Sequence, residues 1–202
     1  MNVYVESNFV LELAYLQEQH RSCDEIVRMA EAGDIILVLP AFCISEPYDS
    51  FVRRYRERKA MLDNFQKQVG ELRRSEPYAK ISEQSTATTS LIAASLDEEK
   101  ERLDETMRRV LRCAYSIPVT PNVFDAAVEL QKGAIDSAQD AIIFASVVTH
   151  LDESRPAESV FLNKNAGDFA DPVVQDALER RNCKLLAKFP DGLGYLLKRM
   201  RE

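Results

Sequence analysis

Four acidic residues stand on four separate segments of this 202-residue chain. Glu6 follows the apolar run "NVYV" (2–5), Glu46 comes shortly after "DIILVLP" (34–40), Asp140 lies early in a helical pattern at 137–150, and Asp168 follows "SVFLN" (159–163). Ionised carboxylates a few ångströms apart repel by several kcal/mol at an effective dielectric of about 20, so a group of them persists by sharing protons or by binding a cation. Oxygen ligands with no His or Cys nearby favour a hard ion, Mg²⁺ or Mn²⁺, which keeps several waters and binds substrate phosphate. The chemistry to expect from such a group is phosphodiester cleavage.

The acids converge only if the elements between them bring them together. Short β-rich runs at 2–5, 34–40, 115–120, 159–163 and 183–189 alternate with helical patterns, which predicts an α/β fold: a central parallel sheet of four to five strands flanked by helices. Such a sheet presents functional residues at the carboxyl ends of its strands. Between the first two strands, Phe9, Leu13 and Leu16 and then Ile26, Met29 and Ala30 predict two short helices broken near 19–22, with Gly33 ending the second. A long surface helix is expected from Pro47 to about Val69, a polar loop over 73–90, and a second long helix through Ile92, Leu96, Leu103, Met107 and Val110. The second helix carries the four-residue charge pairs Glu98–Arg102, Asp104–Arg108 and Glu105–Arg109. Residues 50–113 thus form a helical insertion within a single domain spanning 1–202. The apolar stripe of 90–112 needs a cover, and a homodimer would supply one.

Composition sets the outer limits. With 46% hydrophobic and 29% charged residues, the chain has the make-up of a globular domain. No stretch reaches the roughly 18 apolar residues of a membrane span, and the signal-peptide pattern is lacking, so no membrane partner and a cytoplasmic location are expected. Cysteines 23, 43, 113 and 183 form no CxxC pair and read as reduced thiols. A formal charge of -7 argues against a generic nucleic-acid coat, but it leaves room for a local basic surface. The best candidate is "FVRRYRERKA" (51–60): on helical spacing Arg53 shares a face with Glu46, and Arg54 is next in line to meet a phosphate, although the favoured reading of the cluster as a whole is a solvated charged face.

Each acid also has a plain structural reading. Glu6 suits the first turn of a helix starting near Phe9, where the helix dipole favours negative charge. Ser45-Glu46-Pro47 reads as a helix start with Ser45 as cap, Asp136 with Gln139 as a capping box, and Asp171-Pro172 as a cap. His20 and His150 read as ordinary surface or helix-end residues.

The order of the motifs resembles the PIN-domain nucleases. "VYVESN" is similar to the family's opening strand with its terminal acid, and "VLPAFCISEP" to the second strand and following glutamate. "SAQDAIIFASV" (137–147) resembles the helix carrying the third acid, and "VFLNKNAGDF" (160–169) the strand and Asn-x-x-Asp-Phe loop carrying the last. The resemblance implies a metal-dependent RNA endonuclease, of the kind found as VapC-type toxins, with Glu6, Glu46, Asp140 and Asp168 holding Mg²⁺ or Mn²⁺. Ser7 and Asn165 would orient water or the acids. RNA would be the substrate and a cognate antitoxin protein a partner. In the family the opening acid is usually Asp, one methylene shorter than Glu6, and the place of Asn163 usually holds Thr or Ser. The alternative expectation is therefore a catalytically impaired module of the same fold that binds RNA or a protein. A receiver-like signalling domain also gathers acids at strand ends, but the early acid pair and the lysine after the last strand are not found in the arrangement it requires.

Overall fold

The computed structural model describes residues 1–202 apart from 84, 165–168, 170 and 202. Among the described residues, five strands form one wholly parallel sheet: β1 (Asn2–Val5), β2 (Ile36–Pro40), β3 (Ala114–Ile117), β4 (Ser159–Leu162) and β5 (Cys183–Leu186). Their order is β3-β2-β1-β4-β5. Every residue of β1 and of β4 is buried, as continuous apolar strands covered on both faces should be. The third strand begins one residue earlier than expected and stops before Pro118, which has no N–H to give a ladder.

The order of the strands creates the site. From β1 the chain steps to β2 and β3 on one side, whereas β4 and β5 lie on the other. Strands β1 and β4 pair directly, with Tyr4 opposite Phe161 and Val5 opposite Leu162. In open parallel sheets the crevice beyond the carboxyl ends of strands at such a reversal is where ligands bind. Glu6 and Asn163 are the next residues of the two strands, so both stand at that reversal.

Helices α1 (Ser7–Ala14) and α2 (His20–Glu31) follow β1, and the break between them falls at 15–19, where Leu16 takes the left-handed φ of 50°. Gly33, with φ of 81°, turns the chain after α2 as expected. Beyond β3 come α6 (Pro121–Leu130) and α7 (Ala138–Ser154), and around β5 α8 (Pro172–Glu179) and α9 (Phe189–Arg199). No described helix is long and apolar enough to cross a membrane.

The insertion between β2 and β3 consists of α3 (Phe42–Leu72), α4 (Glu76–Glu83) and α5 (Ser85–Cys113). It departs from expectation in four respects. First, α3 starts directly after β2, so Pro47 lies inside the helix rather than in its first turn. Second, the stretch 73–90 is not a loop but a turn, α4 and the start of α5. Ser and Thr cost at most about 0.7 kcal/mol each in a helix, and Pro77 sits in the first turn of α4, where its missing N–H breaks no bond.

Third, the apolar stripe of α5 is covered within the chain. Leu103 and Met107 pack with Val10 and Ala14 of α1 and Phe51 of α3, while Val110 joins the main core against the sheet. The stripe therefore gives no reason for a dimer. Fourth, of the three charge pairs expected on α5 only Glu98–Arg102 forms, at 3.3 Å. Asp104 takes Lys100 at 2.6 Å, and Arg109 reaches across to Asp24 at 2.5 Å and Glu31 at 2.7 Å. Partners on α2 are available to Arg109 because α5 lies over that helix, a tertiary fact that helical spacing does not contain.

Candidate active site

Glu6 is both the end of β1 and the N-cap of α1. Its backbone is still extended, with φ of -124°, and its Oε2 accepts the Asn8 N–H at 2.9 Å. The role expected for it as an acid within the first helical turn is thus replaced by a cap, because α1 starts at Ser7 and not near Phe9. The residue is 5% exposed, and Oε1 is buried with no hydrogen-bond partner. Burial raises the carboxyl to about 7; the Asn8 hydrogen bonds oppose the rise, and the carboxylates of Glu46 and Asp140 add to it.

Glu46 arrives from the second turn of α3. Ser45 does not cap that helix; its hydroxyl donates to the Phe42 carbonyl at 3.1 Å within the helix. Pro47 has no N–H for the Cys43 carbonyl four residues back, a defect the helix carries because Pro47 is buried against its neighbours. Glu46 is held from α1: the Ser7 hydroxyl donates to its Oε2. Ser7 is itself buried, so two adjacent residues of the first strand–helix junction supply one acid and fix a second. Cys43 fills the space beneath them. Burial first, and then Glu6 and Glu46, push its thiol well above the ordinary range, which makes it an inert packing group.

Asp140 occupies the third position of α7. Its N–H donates to the Ser137 hydroxyl at 3.3 Å, so Ser137 and not Asp136 is the cap, and the expected Asp136–Gln139 box does not form. The helix begins one residue later than that box requires. Asp140 opens on a cleft of about 430 Å³ that Asp136, Ser137 and Asp171 also line. Asp171 caps α8 as expected, accepting the Val173 N–H at 2.8 Å. Asn163, almost fully buried, leaves β4 beside Glu6, and its N–H donates to the Leu186 carbonyl at 3.1 Å.

The structure therefore brings Glu6, Ser7 and Glu46 into one site and sets Asp140 within range of their charge. Asn165 and Asp168 lie outside the described residues. Among the described residues no three His, Cys, Asp or Glu side chains make a group that would hold a metal ion by themselves. Arg53 is exposed on α3, whereas the guanidinium of Arg54 lies 4.1 Å over the ring of Tyr15. Arg54 is therefore engaged with the end of α1 by a cation–π contact and does not extend freely along the Arg53 face. His150 is 2.9 Å from the Tyr4 hydroxyl through Nδ1 and packs its ring on Tyr115, a structural role.

Sequence reasoning passed over one pair beside the site. Glu12 of α1, fully buried, is bridged by Lys164 at 2.5 Å, and the two lie 152 residues apart. The only local sign of it is an acid on the buried side of α1, amid Phe9, Val10 and Leu13.

Comparison with known proteins gives two findings. The family model described as "PIN domain" matches residues 3–169. The crystal structure of VapBC2 from Rickettsia felis bound to a DNA fragment from their promoter is similar at 11% identity with a TM-score of 0.46, covering 92% of this chain and 98% of that one. No curated protein sequence matches.

Proposed function

Since the chain belongs to the PIN domain family, whose members are generally metal-dependent nucleases, we propose that it is an RNA endonuclease dependent on Mg²⁺ or Mn²⁺, of the toxin type that pairs with an antitoxin protein. The observation that carries this reading is the bare Oε1 of Glu6, a carboxylate oxygen buried at the strand-order reversal without a protein donor. A polar atom buried without a partner costs free energy, and a cation removes that cost. The residues present fit such an ion. Mg²⁺ keeps several waters and takes only one or two carboxylates together with substrate phosphate, so a closed cage of acids is not required.

In this reading Glu6, Glu46, Asp140 and Asp168 are the acidic site, and Glu6 and Asp140 act as ligands from β1 and α7. Ser7 keeps Glu46 in place by its hydroxyl hydrogen bond. Asn165, in the sequence after β4, orients a water or an acid. A bound divalent ion supplies charge to the phosphate oxygens and makes water a better nucleophile. The chain's own work is to hold the acids in place, to exclude bulk water around Glu6, and to present Arg53 to the RNA backbone. The domain runs over 1–202 with α3–α5 as an insertion, and a homodimer, if one forms, uses a surface other than the covered stripe of α5.

A second reading has its own observation. Glu6 serves as a helix cap and its carboxyl is raised to about 7, so a cation has to compete for it with the Asn8 N–H and with a proton. This favours the module that binds RNA or a protein without cutting. One experiment separates the two: incubation of a mixed RNA pool with Mg²⁺ or Mn²⁺, comparing the wild type with Asp140→Asn, Asp168→Asn and Glu6→Asp, alongside calorimetric metal titration. Metal-dependent cutting lost in both Asn variants supports the nuclease. Folded protein with neither cutting nor metal binding rejects it and leaves the binding module.

A further inference from the structure

The last acid of the proposed site, Asp168, lies on a segment of four residues, 165–168, between two described anchors. The exit anchor is Phe169, which is buried between Phe144 of α7, with ring centroids 5.8 Å apart, and Phe161 of β4, at 5.6 Å. The entry anchor is Lys164, whose Nζ lies 2.5 Å from Glu12 Oε1. Glu12 is in turn tied to its surroundings, since Oε2 accepts the Gln19 N–H at 2.9 Å, and the Gln19 side chain accepts the Phe189 N–H at 2.9 Å. One buried carboxylate thus joins the exit of β4, the α1–α2 turn and, through Gln19, the start of α9.

We propose that the Glu12–Lys164 ion pair is a positioning clamp that sets where the Asp168-bearing segment leaves β4. The proposal rests on the nuclease reading above for its consequence in catalysis, but not for its structural content. Three features carry it. Glu12 is fully buried while Lys164 keeps about a third of its side chain exposed, at 37%, so the pair is not a surface ion pair formed by chance. A buried pair of this kind is no better for stability than well-packed apolar residues, and its best-attested use is to specify one arrangement among several. Its position is also specific: Lys164 directly precedes the segment, and α1, which carries Glu12, is the helix that Glu6 caps and Ser7 begins. The same short helix therefore places two residues of the site at its start and grips the entry to a third segment from its second turn.

The test uses the full chain. Glu12→Gln combined with Lys164→Met neutralises both partners and keeps an acceptor for the Gln19 N–H, while Lys164→Arg keeps the charge. In the double variant, amide hydrogen exchange at Asn163 and Gln19 should quicken by about tenfold or more with the β1 and β4 amides unchanged. A displaced acid should lower kcat for Mn²⁺-dependent RNA cleavage by about tenfold or more and leave KM within about twofold. Lys164→Arg should restore both readouts. Unchanged exchange at Asn163 and Gln19 overturns the clamp, and so does quickening spread over the whole chain, which would mark the pair as a general stabiliser. A wild type that neither binds Mn²⁺ nor cuts RNA, combined with local quickening in the double variant, leaves the clamp standing and sinks the nuclease reading.

Discussion

Glu6→Gln removes the charge from the buried end of β1 while keeping the shape of the side chain and an oxygen to accept the Asn8 N–H. The carboxyl stands at about 7 in the fold, chiefly through burial, against 4.5 in an unperturbed chain. The folded protein therefore holds this proton more tightly than the unfolded one. The stabilisation is fully present below about pH 4.5 and is lost as the pH rises through about 7. At about 1.4 kcal/mol per pH unit across that interval, ionised Glu6 costs the metal-free fold about 3 kcal/mol above neutrality. Gln does not titrate, so the variant should be close to the wild type in stability at pH 4.5 and about 3 kcal/mol more stable at pH 8. For a chain of this size, that gain is about 10 °C in melting temperature. The assay is thermal or urea unfolding of both proteins in chelator at pH 4.5, 6 and 8. The same protein should lose Mn²⁺ affinity, since an amide is a poorer ligand than a carboxylate. A difference between variant and wild type that does not grow with pH, or a variant less stable at pH 8, would refute the claim that Glu6 is buried at an energetic cost.

Metal affinity should follow the same group. Wild-type Mn²⁺ binding by calorimetry should strengthen by about tenfold per pH unit below about 7 and level off above it, with close to one proton released per ion; a flat profile between pH 5.5 and 7 would exclude Glu6 as a ligand. Ser7→Ala deletes a buried donor to a carboxylate, a bond of about 1.5–3 kcal/mol, and should lower RNA cleavage by about ten- to a hundredfold with the fold retained on circular dichroism. Retention of full activity would show that Glu46 needs no support from α1. Leu103→Ala should cost about 2–5 kcal/mol in urea unfolding because the side chain is fully buried against α1 and α3. Its oligomeric state by sedimentation should equal that of the wild type, since the stripe faces inward.

The strands were legible because continuous runs such as "ILVLP" and "SVFL" have nowhere to go but the middle of a parallel sheet, and each strand of the sheet falls within or next to its expected run. Glu6, Glu46 and Asp140 were legible because each lies just after a strand or near a helix start, and the described structure sets these three within range of one another's charge. Other features could not be read in this way. Whether Ser137 or Asp136 caps α7 turns on a one-residue shift, and the spacing of polar residues supports both. Helicity of 73–90 is decided by its place between two long packed helices rather than by its Ser and Thr content. The Arg109 bridges and the Glu12–Lys164 pair join residues 78 to 152 positions apart, and no local pattern marks them.

The insertion also has a physical part in the site, through α1. On one side Phe9 of this helix enters the main core, with its ring 5.4 Å from Phe189; on the other, Val10 and Ala14 are buried by Phe51 of α3 and Leu103 and Met107 of α5. A helix of eight residues has little stability of its own, so its position comes from being held between the sheet and the helical pair. Since Glu6 caps it, Ser7 begins it and Glu12 extends from it, the geometry of three polar residues depends on the root of the α3–α5 pair. Farther along the insertion, Met61 and Leu72 of α3, Tyr78 of α4 and Leu91 of α5 stand exposed. Shortening the insertion from its tip should therefore leave the acids in place, whereas loosening its root at Phe51 or Leu103 should disturb them even though neither residue touches a carboxylate.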